Sequence, residues 1–299
     1  METLNAILCP AFHGATMLGF LLNRHSKVTC LGDTLPERHH LDYFCSCSKR
    51  ISDCEFWQAI SESLATERFA GEHNLLPMVP RLTRHPYLNR KLNLLINETG
   101  LSIGSKAWKL APWATKDFSE VSRRFSELAC SLQGTELFVD GTKKTPRFLS
   151  LMMLLRPRAA RIIQLTRDPR AYVHSCTKNW TSPGTPEELA KAWLLFHDYV
   201  RLLPTRCDVE HLVVRYEDLC RDPGAEMTRV FGFLGLENED VTGPAERFSG
   251  PHHVIGNRML ISFDGTLRLD ARWSENMSEA VQDEVIAHAG VAAEAFGYT

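Results

Sequence analysis

The feature that most constrains this 299-residue chain is residues 161–175, Arg-Ile-Ile-Gln-Leu-Thr-Arg-Asp-Pro-Arg-Ala-Tyr-Val-His-Ser. Ile162, Ile163 and Leu165 form an apolar run suited to a strand covered on both faces. Pro169 suits the first turn of a helix, where its missing N–H costs nothing. Arg167 then falls at the carboxyl end of the strand. Ligands of open parallel sheets bind beyond that end, and a guanidinium fork there matches two phosphate oxygens at once. Ser175 follows about two helical turns later, within reach of a group held near Arg167. Taken singly, a surface arginine and a solvated serine are the ordinary readings. Together, after an apolar strand, they point to a phosphate site.

Charge agrees with that expectation locally. Residues 141–175 carry eight Lys or Arg (Lys143, Lys144, Arg147, Arg156, Arg158, Arg161, Arg167, Arg170) against one acid, Asp168, which suits a small polyanion. The whole chain has a formal net charge of −2, which argues against an electrostatic nucleic-acid binder. No apolar run approaches the ~20 residues of a membrane span, and residues 1–9 lack the basic start and long apolar core of a signal peptide, so a cytoplasmic protein without a membrane partner is expected. Nine cysteines without an export signal are expected as free thiols. The length fits one large α/β domain or two small ones.

A second strand, turn and helix opens the chain. Residues 4–9 suit a buried strand, Phe12, His13, Gly14, Ala15 and Thr16 a glycine-containing turn, and Met17, Leu18, Leu21 and Leu22 a helix. Such a turn points free backbone N–H groups at a phosphate, although a plain βα turn fits equally well, and the Gly-Lys-Ser/Thr ending of an ATP-binding loop is missing. Residues 28–31 suit a short strand ending at Gly32 and Asp33, where the acid serves as a helix cap or as a general base. Residues 136–139 suit a strand running into Asp140-Gly141-Thr142-Lys143-Lys144. Cations at the start of the following helix oppose its dipole unless an anion intervenes. Residues 211–214 suit a further buried strand leading to Tyr216, which either packs or lies against a purine ring.

Elsewhere the signals are weaker. Cys45, Cys47 and Cys54 cluster, with Cys30 upstream. Their single close pair, with one intervening residue, is tighter than the two-to-four spacing of zinc sites, so packed or redox-labile thiols are expected and no metal. The paired His252 and His253 are likewise not expected to hold one ion. Residues 66–116 are read as a variable substrate-side insertion, with His73, His85, Trp108 and Trp113 as candidates to line it. Residues 252–258 suggest a loop covering a phosphate through Arg258 and backbone N–H groups. Residues 273–296 suggest a terminal helix.

Taken in order, these segments resemble the sulfotransferases that use 3′-phosphoadenosine 5′-phosphosulfate (PAPS), in particular the bacterial, carbohydrate-type and tyrosyl-protein branches. Residues 10–22 resemble the 5′-phosphosulfate loop. Arg167, Asp168, Pro169 and Ser175 resemble the 3′-phosphate motif, in which the Arg and the Ser hold the 3′-phosphate. Residues 140–143 resemble the Asp-Ser-Ser-Lys segment of bacterial members, 215–219 the Tyr-Glu-Asp-Leu segment, and Gly256-Asn257 the late Gly-Asn loop. Cys45, Cys47 and the Cys54-Glu-Phe-Trp run are similar to a cysteine-rich stretch of some bacterial members. Residues 25–33 resemble a His-Pro-x-Val…Gly-Glu segment whose Glu is the base toward the acceptor; Asp33 fills that position.

The resemblance implies a single α/β domain over residues 1–299, a P-loop-type three-layer fold with a central, mostly parallel sheet flanked by helices. It implies in-line sulfuryl transfer from PAPS to a hydroxyl or amine of a small-molecule, carbohydrate or peptide acceptor. The implied nucleotide contacts are Phe12, His13, Gly14, Ala15, Thr16, Met17, Arg167, Ser175, Tyr216, Gly256, Asn257 and Arg258, and the catalytic group is Asp33, Lys143 and His13. No metal is required, because the lysine and loop amides supply the positive potential that magnesium gives in kinases. One departure matters: where the family loop carries Arg or Lys and then Ser, this chain has Phe12 and His13. Lys143, Lys144 or a protonated His13 would have to replace the missing cation. Without one the chain would bind nucleotide without turnover. A P-loop kinase and a histidine-and-cysteine metalloprotein are more distant alternatives.

Overall fold

The computed structural model describes residues 2–34, 44–65, 79–103, 109, 112–242, 251–255 and 267–299. Among these, five strands form one parallel sheet: β1 (Thr3–Leu8), β2 (Val28–Thr29), β4 (Leu137–Lys143), β5 (Ala159–Thr166) and β6 (Glu210–Arg215), in the order β2-β4-β1-β5-β6. A separate antiparallel pair joins β3 (Phe44–Cys45) to β7 (Val254–Ile255). The fold is therefore the α/β sheet flanked by helices that the sequence suggests.

The reason is visible in the alternation of the central strands. Ile7, Ile163, Leu165 and Val214 face one side, where they pack with α1 (Ala15–Leu22), α8 (Tyr216–Arg221) and α9 (Pro223–Leu234). Leu4, Ala6, Leu8, Ala160 and Ile162 face the other, against α4 (Pro112–Gln133), α5 (Thr145–Leu155) and α7 (Pro186–Arg206). Strands buried on both faces read as nearly continuous apolar runs, which is why β5 was legible. Beyond the β2 edge, α2 (Glu55–Ala65) packs Phe56, Trp57, Ile60 and Leu64 on Phe125 and Ala129 of α4. At the opposite edge α6 (Pro169–Asn179), α7 and α11 (Glu279–Ala295) share a cluster around Trp193 and Phe296.

Three elements differ from expectation. β4 continues through residue 143, because Asp140 is buried and paired with Arg147 at 2.8 Å; a charged residue that reads as a strand end is an interior one. Within residues 66–116 the helical patch that the sequence suggests around Leu88 to Ile96 is present but longer, as α3 (Pro86–Ile103), and the Asn97 amide donating to the Pro146 carbonyl at 3.0 Å fastens it to α5. The C-terminal region is two helices, the short α10 (Trp273–Asn276) and then α11, itself kinked at Gly290. No helix among the described residues is long and apolar enough to cross a membrane.

Candidate active site

In a parallel sheet every strand delivers its next residue to the same edge. Here that edge collects the turn after β1, Asp33 after β2, Lys143 at the end of β4, Arg167 after β5 and Tyr216 after β6. The turn after β1 has Phe12 and Gly14 in the left-handed region, at φ 62° and 87°. Gly14 caps α1 and accepts from the N–H groups of Met17 and Leu18 at 3.0 Å. A Cβ at Gly14 would lie 2.7 Å from the Tyr216 ring, so the turn closes on that ring only because residue 14 has no side chain. The earliest N–H groups of α1, which have no carbonyl a turn before them, lie at this edge.

Arg167 joins the two turns that the sequence marks for phosphate. Its Nη1 donates to the Phe12 carbonyl at 2.7 Å and its Nη2 to the Asp270 carbonyl at 3.0 Å. The Asp270 carboxylate stands 3.4 Å away, and the Trp193 indole donates to the Arg167 carbonyl at 3.0 Å. Arg167 Nε is buried and has no partner among the described residues. Asp168 caps α6 by accepting from the Arg170 N–H at 2.8 Å, and Ser175 sits buried on that helix. Asp270 is held well below the usual carboxylate range, first by its hydrogen bond to Arg272 and then by Arg167.

Tyr216 is largely buried. The Arg167 guanidinium lies 4.6 Å from its ring centre, and its hydroxyl donates to the Arg268 carbonyl and accepts from the Asp270 N–H, each at 3.2 Å. Its place is beneath Arg167, where ring and cation attract one another.

Asp33 and Lys143 meet as an ion pair at 2.9 Å, both partly exposed. Their backbones approach because residues 32 and 141 are glycines: a Cβ on Gly141 would lie 2.9 Å from the Gly32 carbonyl oxygen. The anion beside the lysines at the start of α5 is thus Asp33, which supplies the compensation that the helix dipole demands.

His13 departs most from expectation. It is not a cation at the turn but a fully buried ring, its pKa pushed down to about 3 by desolvation. Nδ1 lies 2.8 Å from the Ala11 carbonyl, which can only accept, so Nδ1 carries the proton. Nε2 then accepts from His197 Nε2 at 3.1 Å, and His197 Nδ1 accepts from the Gln164 amide at 2.9 Å. The Gln164 oxygen accepts from His211 Nε2 at 2.7 Å. This chain fixes every tautomer in the neutral form, and His13 acts by holding the turn. Phe12 packs against Trp180, ring centres 5.6 Å apart.

The cysteines and the histidine pair, read separately in the sequence, meet. Cys45, Cys47, Cys54 and His252 bring their ligand atoms within 4.8 Å of one another. His253 points away from them and is buried, with neither ring nitrogen bonded among the described residues. Gly256, Asn257, Arg258, His73 and Trp108 lie outside the described residues, and His85 is exposed. Sequence reading missed Asp270, and also His197, Gln164 and His211, because nothing local marks a polar residue that serves another. The signal for His252 was the adjacent histidines, too far along the chain to be joined to the cysteines.

Comparison with known proteins adds the following. The family model described as "Sulfotransferase family" matches residues 14–240. The sulfotransferase domain from the Synechococcus PCC 7002 olefin synthase has a similar structure, with a TM-score of 0.58 at 17% identity over 99% of this chain and 95% of that one. The sulfotransferase domain from the curacin biosynthetic pathway has a TM-score of 0.50 at 13% identity over 100% and 99%. At these identities the likeness is one of fold. No curated protein matches the chain significantly.

Proposed function

The chain belongs to the sulfotransferase family, and we propose that it moves a sulfuryl group from PAPS to a hydroxyl or amine acceptor by in-line displacement. The observation that carries this reading is the 2.7 Å bond from Arg167 to the Phe12 carbonyl, which holds both phosphate-directed turns together at one sheet edge. In the proposed step the acceptor's oxygen or nitrogen bonds to sulfur as the bond from sulfur to the bridging oxygen of the 5′-phosphate breaks. The acceptor's proton passes to Asp33, and adenosine 3′,5′-bisphosphate leaves.

The proposal gives each residue a part. The N–H groups of His13, Gly14, Ala15 and Thr16, with the Thr16 hydroxyl, hold the 5′-phosphate at the positive end of α1; Met17 lies in that first turn. Arg167 and Ser175 hold the 3′-phosphate, with the unpartnered Nε of Arg167 a donor for it. Lys143 offsets negative charge developing on the bridging oxygen, and Tyr216 positions Arg167. Gly256, Asn257 and Arg258 are assigned to cover the nucleotide by resemblance alone. The acceptor is a small molecule, a carbohydrate or a peptide.

A second reading, nucleotide binding without turnover, draws on one observation: with Phe12 in the loop and His13 buried and neutral, positions 12 and 13 supply no cation, and Lys143 is paired with Asp33. Both readings are tested by calorimetric titration of adenosine 3′,5′-bisphosphate into wild type and Arg167→Ala, followed by turnover of PAPS with a panel of acceptors. Removing one partner of a desolvated charge pair costs roughly 2 to 5 kcal/mol, so affinity should fall at least ~30-fold in the variant. Equal affinities would remove Arg167 from the site. Binding without turnover would select the second reading.

A further inference from the structure

We propose that Cys45, Cys47, Cys54 and His252 bind one zinc ion in a closed structural site. The proposal is independent of the sulfuryl-transfer reading. Cys45 Sγ lies 3.3 Å from His252 Nδ1, Cys54 Sγ lies 3.4 Å from the same nitrogen, and Cys47 Sγ lies 3.6 Å from Cys54 Sγ. A tetrahedral zinc ion with Zn–S bonds of about 2.3 Å and Zn–N bonds of about 2.0 Å separates its ligand atoms by roughly 3.5 to 3.8 Å. Three of the six ligand-atom separations thus lie near those of such a tetrahedron, and all six are within 4.8 Å. Three sulfurs and one imidazole nitrogen are a soft donor set that suits zinc rather than magnesium or calcium, and four protein ligands leave no position for a substrate.

The surroundings hold these ligands in place. Phe56 stacks on the His252 ring, centres 4.5 Å apart and planes within 5°. Ser46 receives a bond to its hydroxyl from the His253 N–H at 3.0 Å, and that hydroxyl donates to the Pro251 carbonyl at 2.8 Å. The β3–β7 pair sets Cys45 beside Val254. Between Cys45 and Cys54 the chain doubles back through Ser48, at φ 70°, whose N–H donates to the Cys45 carbonyl at 2.9 Å. Cys45 and Cys54 are buried, so this is an interior cluster rather than a chance meeting of surface groups.

Such an ion would tie residues 45–54 to residues 251–255, and the Val254 N–H in turn donates to the Leu31 carbonyl at 2.9 Å, two residues before Asp33. Zinc would thereby fix the base of the late segment against the edge that carries Asp33 and Lys143. On binding, zinc forms three bonds to sulfur and one to nitrogen, and the thiol protons pass to solvent.

The test is metal analysis of tag-free protein purified under reducing conditions, with X-ray absorption at the zinc edge. About one zinc per chain is expected, with three sulfurs and one nitrogen at the bond lengths above, and a lower melting temperature after treatment with a strong chelator. Cys54→Ser and His252→Ala should each lose most of the zinc. If either variant fails to fold, the metal content and absorption spectrum of the wild type decide alone. A folded wild type that stays zinc-free after zinc is added would overturn the proposal. So would zinc surrounded by oxygen and nitrogen only, or a Cys47–Cys54 disulfide in the protein as it is made in cells.

Discussion

Lowering the pH from about 7.5 to 5.5 should destabilise this protein by roughly 3 kcal/mol or more, because three histidines are folded as neutral rings. Burial pushes His13 down to about 3 and His253 to about 4, and holds His197 well below its ordinary value. In the unfolded chain each titrates near 6.5. Below that value the unfolded state takes up protons that the native state refuses, so stability falls as pH falls and keeps falling until the native values are reached. Below 6.5 each such histidine contributes a slope that approaches ~1.4 kcal/mol per pH unit, so His13 and His253 together lose roughly 3 kcal/mol over this interval and His197 adds a loss of the same sign. Against a typical total of about 5 to 15 kcal/mol, that is a substantial share of the stability. Urea unfolding at the two pH values measures the loss. His197→Gln, which keeps a donor for His13, should remove part of it. Ring-nitrogen NMR checks the cause directly and separates it from release of metal at His252. Any of the three rings titrating near 6.5 in the folded protein, or stabilities that agree within about 1 kcal/mol, would refute the reasoning.

Three further outcomes are expected. Asp270→Asn removes the carboxylate 3.4 Å from Arg167 and should tighten adenosine 3′,5′-bisphosphate several-fold in calorimetry, whereas weaker binding would make Asp270 part of the site. Arg147→Ala leaves Asp140 buried without its 2.8 Å partner and should cost about 3 to 5 kcal/mol in urea melts; a loss under about 1 would mean that water reaches Asp140. Gly141→Ala meets the Gly32 backbone at 2.9 Å, which cannot swing aside as a side chain would. It should therefore part Asp33 from Lys143 and lower turnover more than nucleotide affinity, and unchanged kinetics would detach that pair from the chemistry.

The parts of the molecule legible in its sequence are those settled by neighbours along the chain. β5 and α6 are marked by three fully buried apolar residues, an Asp cap and a proline at the first helical position, all within one short stretch. The end of β4 was misplaced because Asp140 looks like a surface residue until Arg147 is brought to it. His13 was misread for a related reason. Whether a ring after a left-handed residue faces water or core depends on α7 and β5, which reach it only in the fold. The cysteine cluster was seen but not closed, since its fourth member stands 198 residues beyond Cys54. Arg167 was legible as a cation at a strand end, but not its engagement with Asp270, which arrives from the far end of the chain.

The buried run from the Ala11 carbonyl through His13, His197 and Gln164 to His211 draws on the first turn, α7, β5 and β6 in succession. Within it each bond dictates the direction of the next, so no link can be exchanged for an apolar residue without stranding a donor or an acceptor in the interior. The four positions are therefore bound to vary as a set. Replacing one member therefore calls for a matching change at its neighbour if the turn after β1 is to keep its shape.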